Sequence, residues 1–165
     1  MKATLKYIIA LCAAPLLLTN NIWYSQNTVQ KVVAKYKTQL IPFPYDGYLS
    51  EEIVPGPEEK KEIISFTAFR GVSYRLIFCV TDEGAPVTIR VYDRAAKEPN
   101  RKKVFDSSEM GDSTYYIFEP QVSRRYYIEY SVPSLAGMKF KRSYMVMLIG
   151  ANVNRAAEIA YYSRD

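Results

Sequence analysis

The chain has 165 residues, 48% hydrophobic and 14% aromatic, with a formal net charge of +5. That length holds one ordinary domain, too little for two good cores, and that composition excludes a disordered chain. Histidine is absent and cysteines number two, which excludes Ser-His-Asp and Cys-His hydrolases and removes the usual ligands of zinc, copper and haem.

Along the chain, the first 25 residues read differently from the rest. Lys2 and Lys6 make a short positive start, and YIIALCAAPLLLT (Tyr7–Thr19) is an apolar run of 13 residues. A bilayer span needs about 20 residues, so this run has the size of a secretory signal core. Residues 1–25 are expected to be a signal peptide or, if retained, an N-terminal anchor. Ser25 offers a small residue before a cut, although Trp23 stands where a second small one is preferred. Removal would leave 20 bases against 17 acids and one cysteine, Cys79. A charge of +3 is too mild for a nucleic-acid binder. A single thiol allows no intrachain disulfide. The mature chain is expected to be exported, to the periplasm or cell surface, with no transmembrane span once the signal is cleaved.

TVQKVVAKYKTQL (Thr28–Leu40) places Val29, Val32, Val33, Tyr36 and Leu40 on one helical stripe, with lysines on the other faces. The stripe either packs on the domain or docks on a partner, and Val29, Val32, Val33 and Tyr36 are the candidate partner face. Pro42 and Pro44 stop the helix. Residues 41–62 hold four prolines and two glycines and read as a connection, with Asp46-Gly47 as a turn. Residues 26–61 thus form a helix and Pro-rich linker, 62–150 the main domain, and 151–165 a tail.

From Ile63 the period changes to two. Strands are expected over 62–69, 73–80, 87–93, 103–106, 114–119, 124–133 and 143–150, the first two as a hairpin through Arg70-Gly71. The fold class is all-β: an antiparallel β-sandwich of about seven strands, jelly-roll or immunoglobulin-like, preceded by one amphipathic helix. YMVMLI, nearly continuous in its apolar character, reads as a strand covered on both faces. In RRYYIEYSVP, alternation turns Tyr126, Ile128, Tyr130 and Val132 inward and leaves Tyr127 outside with Glu129 and Ser131. Cys79 shares a face with Arg75 and Ile77, opposite Tyr74, Leu76 and Phe78.

No Gly-rich phosphate loop is present. The acids lie in loops, and no spacing points to a catalytic pair, so no enzyme activity is expected. In DSSEMGD, Asp106, Glu109 and Asp112 offer a weak calcium set, against the plainer reading of a turn. Tyr92, Tyr116 and Tyr127, if on one sheet face, are either cross-strand stabilising pairs or a platform for a sugar or a protein.

IISFTAFRGVSYRLIFCV, PVTIRVYD, VFDSS and RRYYIEYSV together resemble the small secreted β-sandwich domains of the bacterial pre-peptidase C-terminal type, and related exported bacterial proteins, over about residues 60 to 150. The resemblance implies a non-catalytic companion of secreted or surface proteins. The acidic pair that often opens the third strand in such domains is replaced here by GAPVT (Gly84–Thr88), so no calcium site is carried over. The function expected is a non-enzymatic interaction or assembly module of the bacterial envelope, its partner another envelope or secreted protein. A carbohydrate-binding module using exposed tyrosines is the alternative, and a carboxylate-dependent hydrolase stands third.

Overall fold

The computed structural model describes residues 27–81, 86–134 and 143–153. The segment read as a signal peptide, the loop around Gly137 and the tail beyond residue 153 lie outside them. A helix, α1, runs over 27–36 and tightens into a 3-10 turn at Lys37–Leu40. Eight strands follow: β1 (Tyr45–Ile53), β2 (Lys60–Thr67), β3 (Val72–Val80), β4 (Thr88–Tyr92), β5 (Lys103–Asp106), β6 (Tyr115–Phe118), β7 (Arg125–Val132) and β8 (Ser143–Val153).

They form two antiparallel four-stranded sheets, sheet A in the order β1-β8-β3-β6 and sheet B in the order β2-β7-β4-β5. The pairs β1·β8, β2·β7, β3·β6 and β4·β5 are nested, the last shall-first order of a hairpin folded over on itself. Two further pairings, β3·β8 and β4·β7, stitch the nested pairs into sheets. This is jelly-roll topology, and it decides between the two sandwiches that the alternation allowed.

Alternation positions the cores. Tyr74, Leu76 and Phe78 of β3 and Met145 and Met147 of β8 point between the sheets, where they meet Ile89, Val91, Tyr126, Ile128, Tyr130 and Val132 of sheet B. The intervening Ile77, Cys79, Val146 and Leu148 face the other way, onto Val29, Val32, Val33, Tyr36 and Leu40. Sheet A is therefore covered on both sides, which is why YMVMLI carries almost no polar residue. The stripe considered as a partner face is buried inside the protein: Val29, Val32, Val33 and Tyr36 are each under 9% exposed. A helix this short is marginal alone, and the apolar back of sheet A holds it.

Two details fix that layer. Arg75, on the helix side of β3, donates to the carbonyls of Gln39 and Ile41 and so satisfies backbone acceptors left over at the helical end. The same guanidinium pairs with Glu119 at 2.6 Å and lies over the Phe43 ring. Gly150 on β8 lets the chain cross closely, since a Cβ there would stand 2.8 Å from Phe43 Cβ and 3.1 Å from Leu40 Cδ2.

The structure corrects the sequence reading in three places. The stretch 41–62, expected as a connection, contains β1, and Asp46-Gly47 is a register irregularity within it instead of a turn. As an edge strand, β1 buries little beyond Ile53 and leaves Ser50, Glu51 and Glu52 exposed, so it lacks the apolar alternation of an inner strand. The expected hairpin of β2 and β3 is an arch, because the two strands belong to different sheets. Residues 68–71 cross between layers, held by the Ala68 amide on the Arg124 carbonyl, with Gly71 at φ 80°. The third correction lies at the C-terminal side, where β8 continues through 151–153, residues assigned to the tail.

Candidate functional site

The outer face of sheet B is the complement of the face beneath α1. Registers place Ser65, Tyr127, Tyr92 and Lys103 in one row across the strands, and Ile63, Glu129, Arg90 and Asp106 in the next. Tyr92 and Tyr127 are thus direct cross-strand neighbours, both half-buried. The Arg101 guanidinium lies 3.3 Å from the Tyr92 ring centroid and bonds Glu129 at 3.3 Å. One face of Tyr92 is therefore occupied by a cation, as such rings favour.

Tyr116 is not part of this row. It lies on β6 of sheet A and packs toward the inter-sheet core, with an edge contact to Phe105 and its hydroxyl on the Gly111 carbonyl. The three-ring platform reduces to two rings, because β6 and β7, adjacent in sequence, enter different sheets.

Two of the three acids of DSSEMGD, Asp106 and Glu109, are engaged by cations of the protein. Asp106 is buried and accepts from Arg90 at 3.0 Å, Lys103 at 2.8 Å and both the amide and hydroxyl of Ser108. Burial pushes its carboxyl up, but the bonds from Lys103, Ser108 and Arg90 outweigh this and hold it well below the usual carboxylate range. Glu109 shares Lys103 at 2.6 Å, and the two acids raise that ammonium above its ordinary value through their hydrogen bonds. Asp112 is exposed, and among the described residues no group of three acids is arranged to hold a metal ion. Within this loop Asp106 caps the 3-10 turn Ser107–Glu109. At the far side of the sandwich the Tyr130 phenol is pushed up to about 12, by burial first and then by Glu51 and Glu62.

A second surface forms where the chain arches between strands. A cleft of about 700 Å3 is lined by Asp93, Arg94, Asn100, Lys102, Val104, Phe118, Gln121, Val122, Arg124 and Tyr126. One wall is the β4–β5 loop, a braced structure. The Asp93 amide bonds the Lys102 carbonyl, the Lys102 amide returns to Asp93 Oδ1 at 2.7 Å, and Arg94 bonds the Pro99 carbonyl. Asn100 takes the left-handed conformation, φ 56°, which asparagine tolerates better than most residues. The other wall is the β6–β7 loop, tied down by the Tyr126 hydroxyl, which donates to the Val122 carbonyl and accepts from the Val122 amide. Asp93 links the walls by accepting from Arg124 at 3.0 Å. The Lys102 amide first, and Arg124 with it, hold the Asp93 carboxyl below its ordinary value.

The two ends of the sandwich differ in charge. Loops 68–71, 93–102 and 119–124 at the cleft end carry six cations and three acids. The described connections at the opposite end, 54–59, 81, 86–87, 107–114 and 133–134, carry four acids and no cation. The cleft was missed in the sequence because its residues come from separate stretches, though RAAKEPNRK, with four cations in nine residues, held the signal.

Neither a family model nor a curated protein matches the chain. Among the described residues no helix is long and apolar enough to cross a membrane.

Proposed function

We propose that the chain is a non-enzymatic, exported interaction module of the bacterial envelope, meeting another envelope or secreted protein through the outer face of sheet B. The observation that supports this reading is an asymmetry of cover. Helix α1 closes the outer face of sheet A, whereas among the described residues no element closes that of sheet B, where Tyr127 and the exposed Ile63 stand beside the Arg101–Glu129 pair. Aromatic and arginine side chains held in place by neighbours are the usual anchors of protein interfaces. The acids of this region also support a binding role over a catalytic one, since Asp93, Asp106 and Glu129 are each committed to a cation.

The test is a photo-crosslinking residue in place of Tyr127 in the exported protein, with one in place of Lys31 on the exposed side of α1 as the control. A discrete protein adduct from position 127 and none from position 31 is the expected result. The adjacent rings of Tyr92 and Tyr127 also favour a second reading, a carbohydrate-binding face. Glycan-array binding that disappears in Tyr127→Ala, without any protein adduct, selects that reading. Failure of both measurements removes sheet B as the functional face.

A further inference from the structure

We propose that the cleft between the β4–β5 and β6–β7 loops is a second docking site, which takes an extended peptide segment carrying acidic and aliphatic side chains. This goes beyond the role of the sheet B face, from which the cleft is a separate surface. The charge argument comes first. Arg94, Lys102 and Arg124 line the cleft with Asp93 as the one acid among them, and both Asp93 oxygens are engaged by the protein itself. The Lys102 ammonium makes no ion pair among the described residues. An approaching carboxylate therefore meets an excess of positive charge, some of it uncompensated, at an end of the sandwich whose loops 68–71, 93–102 and 119–124 carry six cations and three acids. Such an arrangement steers an anion and weakens with salt.

The apolar part of the lining decides what kind of anion fits. Val104 and Val122 are 44% and 52% exposed, so the accessible apolar groups are aliphatic. The two aromatic residues of the cleft cannot act as a stacking platform. Phe118 and Tyr126 are buried, packed edge to face at 5.4 Å, and so offer no free ring face to a sugar. Acidic side chains on the cations and aliphatic ones on the valines can alternate along one extended strand, because successive residues point to opposite sides. The walls are held by the internal hydrogen bonds of the loops, so little ordering has to accompany binding.

A fluorescein-labelled decapeptide of alternating glutamate and valine serves as the probe, followed by polarisation against the full mature chain. Binding is expected that weakens by at least about tenfold in the Arg94→Gln/Lys102→Gln double variant and is lost when glutamine replaces glutamate in the peptide. Val122→Glu, at an exposed position, should weaken the probe to a similar degree, and it stands in if the double variant fails to fold. Tyr127→Ala should leave peptide binding unchanged, which separates this site from the sheet B face. The proposal is overturned if the glutamine peptide binds as well, or if well-folded cleft variants bind like the parent. It is equally overturned if an oligouronate of the same charge binds more tightly than the peptide, which makes the cleft a glycan site.

Discussion

On the outer face of sheet A, Ile77, Cys79, Val146 and Leu148 lie beneath α1, whereas the outer face of sheet B carries Tyr127, Glu129, Arg90 and Asp106. Both sheets alternate with the same period, and both turn large apolar residues toward the shared core. The difference is in the other half of each strand. An apolar outer face must be removed from water, so the chain folds a helix back over it. A polar outer face stays stable in water through cross-strand ion pairs and a cation held on a ring. One side is closed by hydrophobic burial, the other by charge pairing.

The sharpest way to break this comparison is to truncate one residue on each face. Leu148→Ala, at a fully buried position under α1, should cost about 2–5 kcal/mol through lost burial and the cavity left behind. Tyr127→Ala should cost no more than about 1 kcal/mol, the scale of a cross-strand pair. Chemical denaturation with an unchanged slope measures both. Equal losses would show that the sheet B face is as tightly packed as the face beneath the helix, and the asymmetry would be gone.

The charged side is tested by Asp106→Asn. The variant should lose about 1.5–3 kcal/mol at pH 7, the range for hydrogen bonds to an ionised group. The sign of the pH dependence follows from the depressed carboxyl. An unfolded aspartate titrates near 3.9, so the stabilisation is complete above that value and disappears as pH falls through it toward the lower folded value. The gap between parent and variant should therefore narrow steadily as pH falls below about 4, while the gap for Leu148→Ala persists. A pH-independent gap would mean that Asp106 acts through packing instead of charge.

Gly150→Ala sharpens the other side. The added methyl meets Phe43 Cβ, an atom close to the backbone that cannot rotate away, so the segment after α1 has to shift. About 1–3 kcal/mol should be lost, as in other overpacked sites. Cys79, 1% exposed beneath the helix, should also react faster with a thiol reagent. A variant with parent stability and an equally protected thiol would show that the helix layer yields easily.

These details also show where the sequence was legible. Tyr126, Ile128, Tyr130 and Val132 were readable as core because β7 is an inner strand with one wet face, and Met145 to Leu148 because β8 is dry on both. β1 was hidden because an edge strand needs few apolar residues, and its flanking prolines looked like a linker. The arch at 68–71 was mistaken for a hairpin because a glycine turn follows a strand equally well in either case. Arg75 gave no hint of its role, since its partners Gln39, Ile41 and Glu119 are 34 to 44 residues away in sequence. Beyond the cations of RAAKEPNRK, the cleft was hidden for the same reason: nested pairing brings the 93–104 and 118–126 segments together, and no local pattern encodes that approach.

The smallest effect has the opposite sign. Tyr36 is 4% exposed beneath α1, and its hydroxyl finds no partner among the described residues. Its ring packs on Tyr115 at 5.3 Å, a contact that does not use the oxygen. A buried hydroxyl without a hydrogen bond costs about 1–3 kcal/mol, and Tyr36→Phe removes it with only a small change of shape. Stability should rise, by up to about 1 kcal/mol once the lost contacts of one atom are allowed for. Tyr126→Phe is the control, since that hydroxyl bonds both the amide and the carbonyl of Val122, and its removal should lower stability. If Tyr36→Phe also lowers stability, the phenol is hydrogen-bonded in solution, and the layer between α1 and sheet A is wetter than the apolar seal described above.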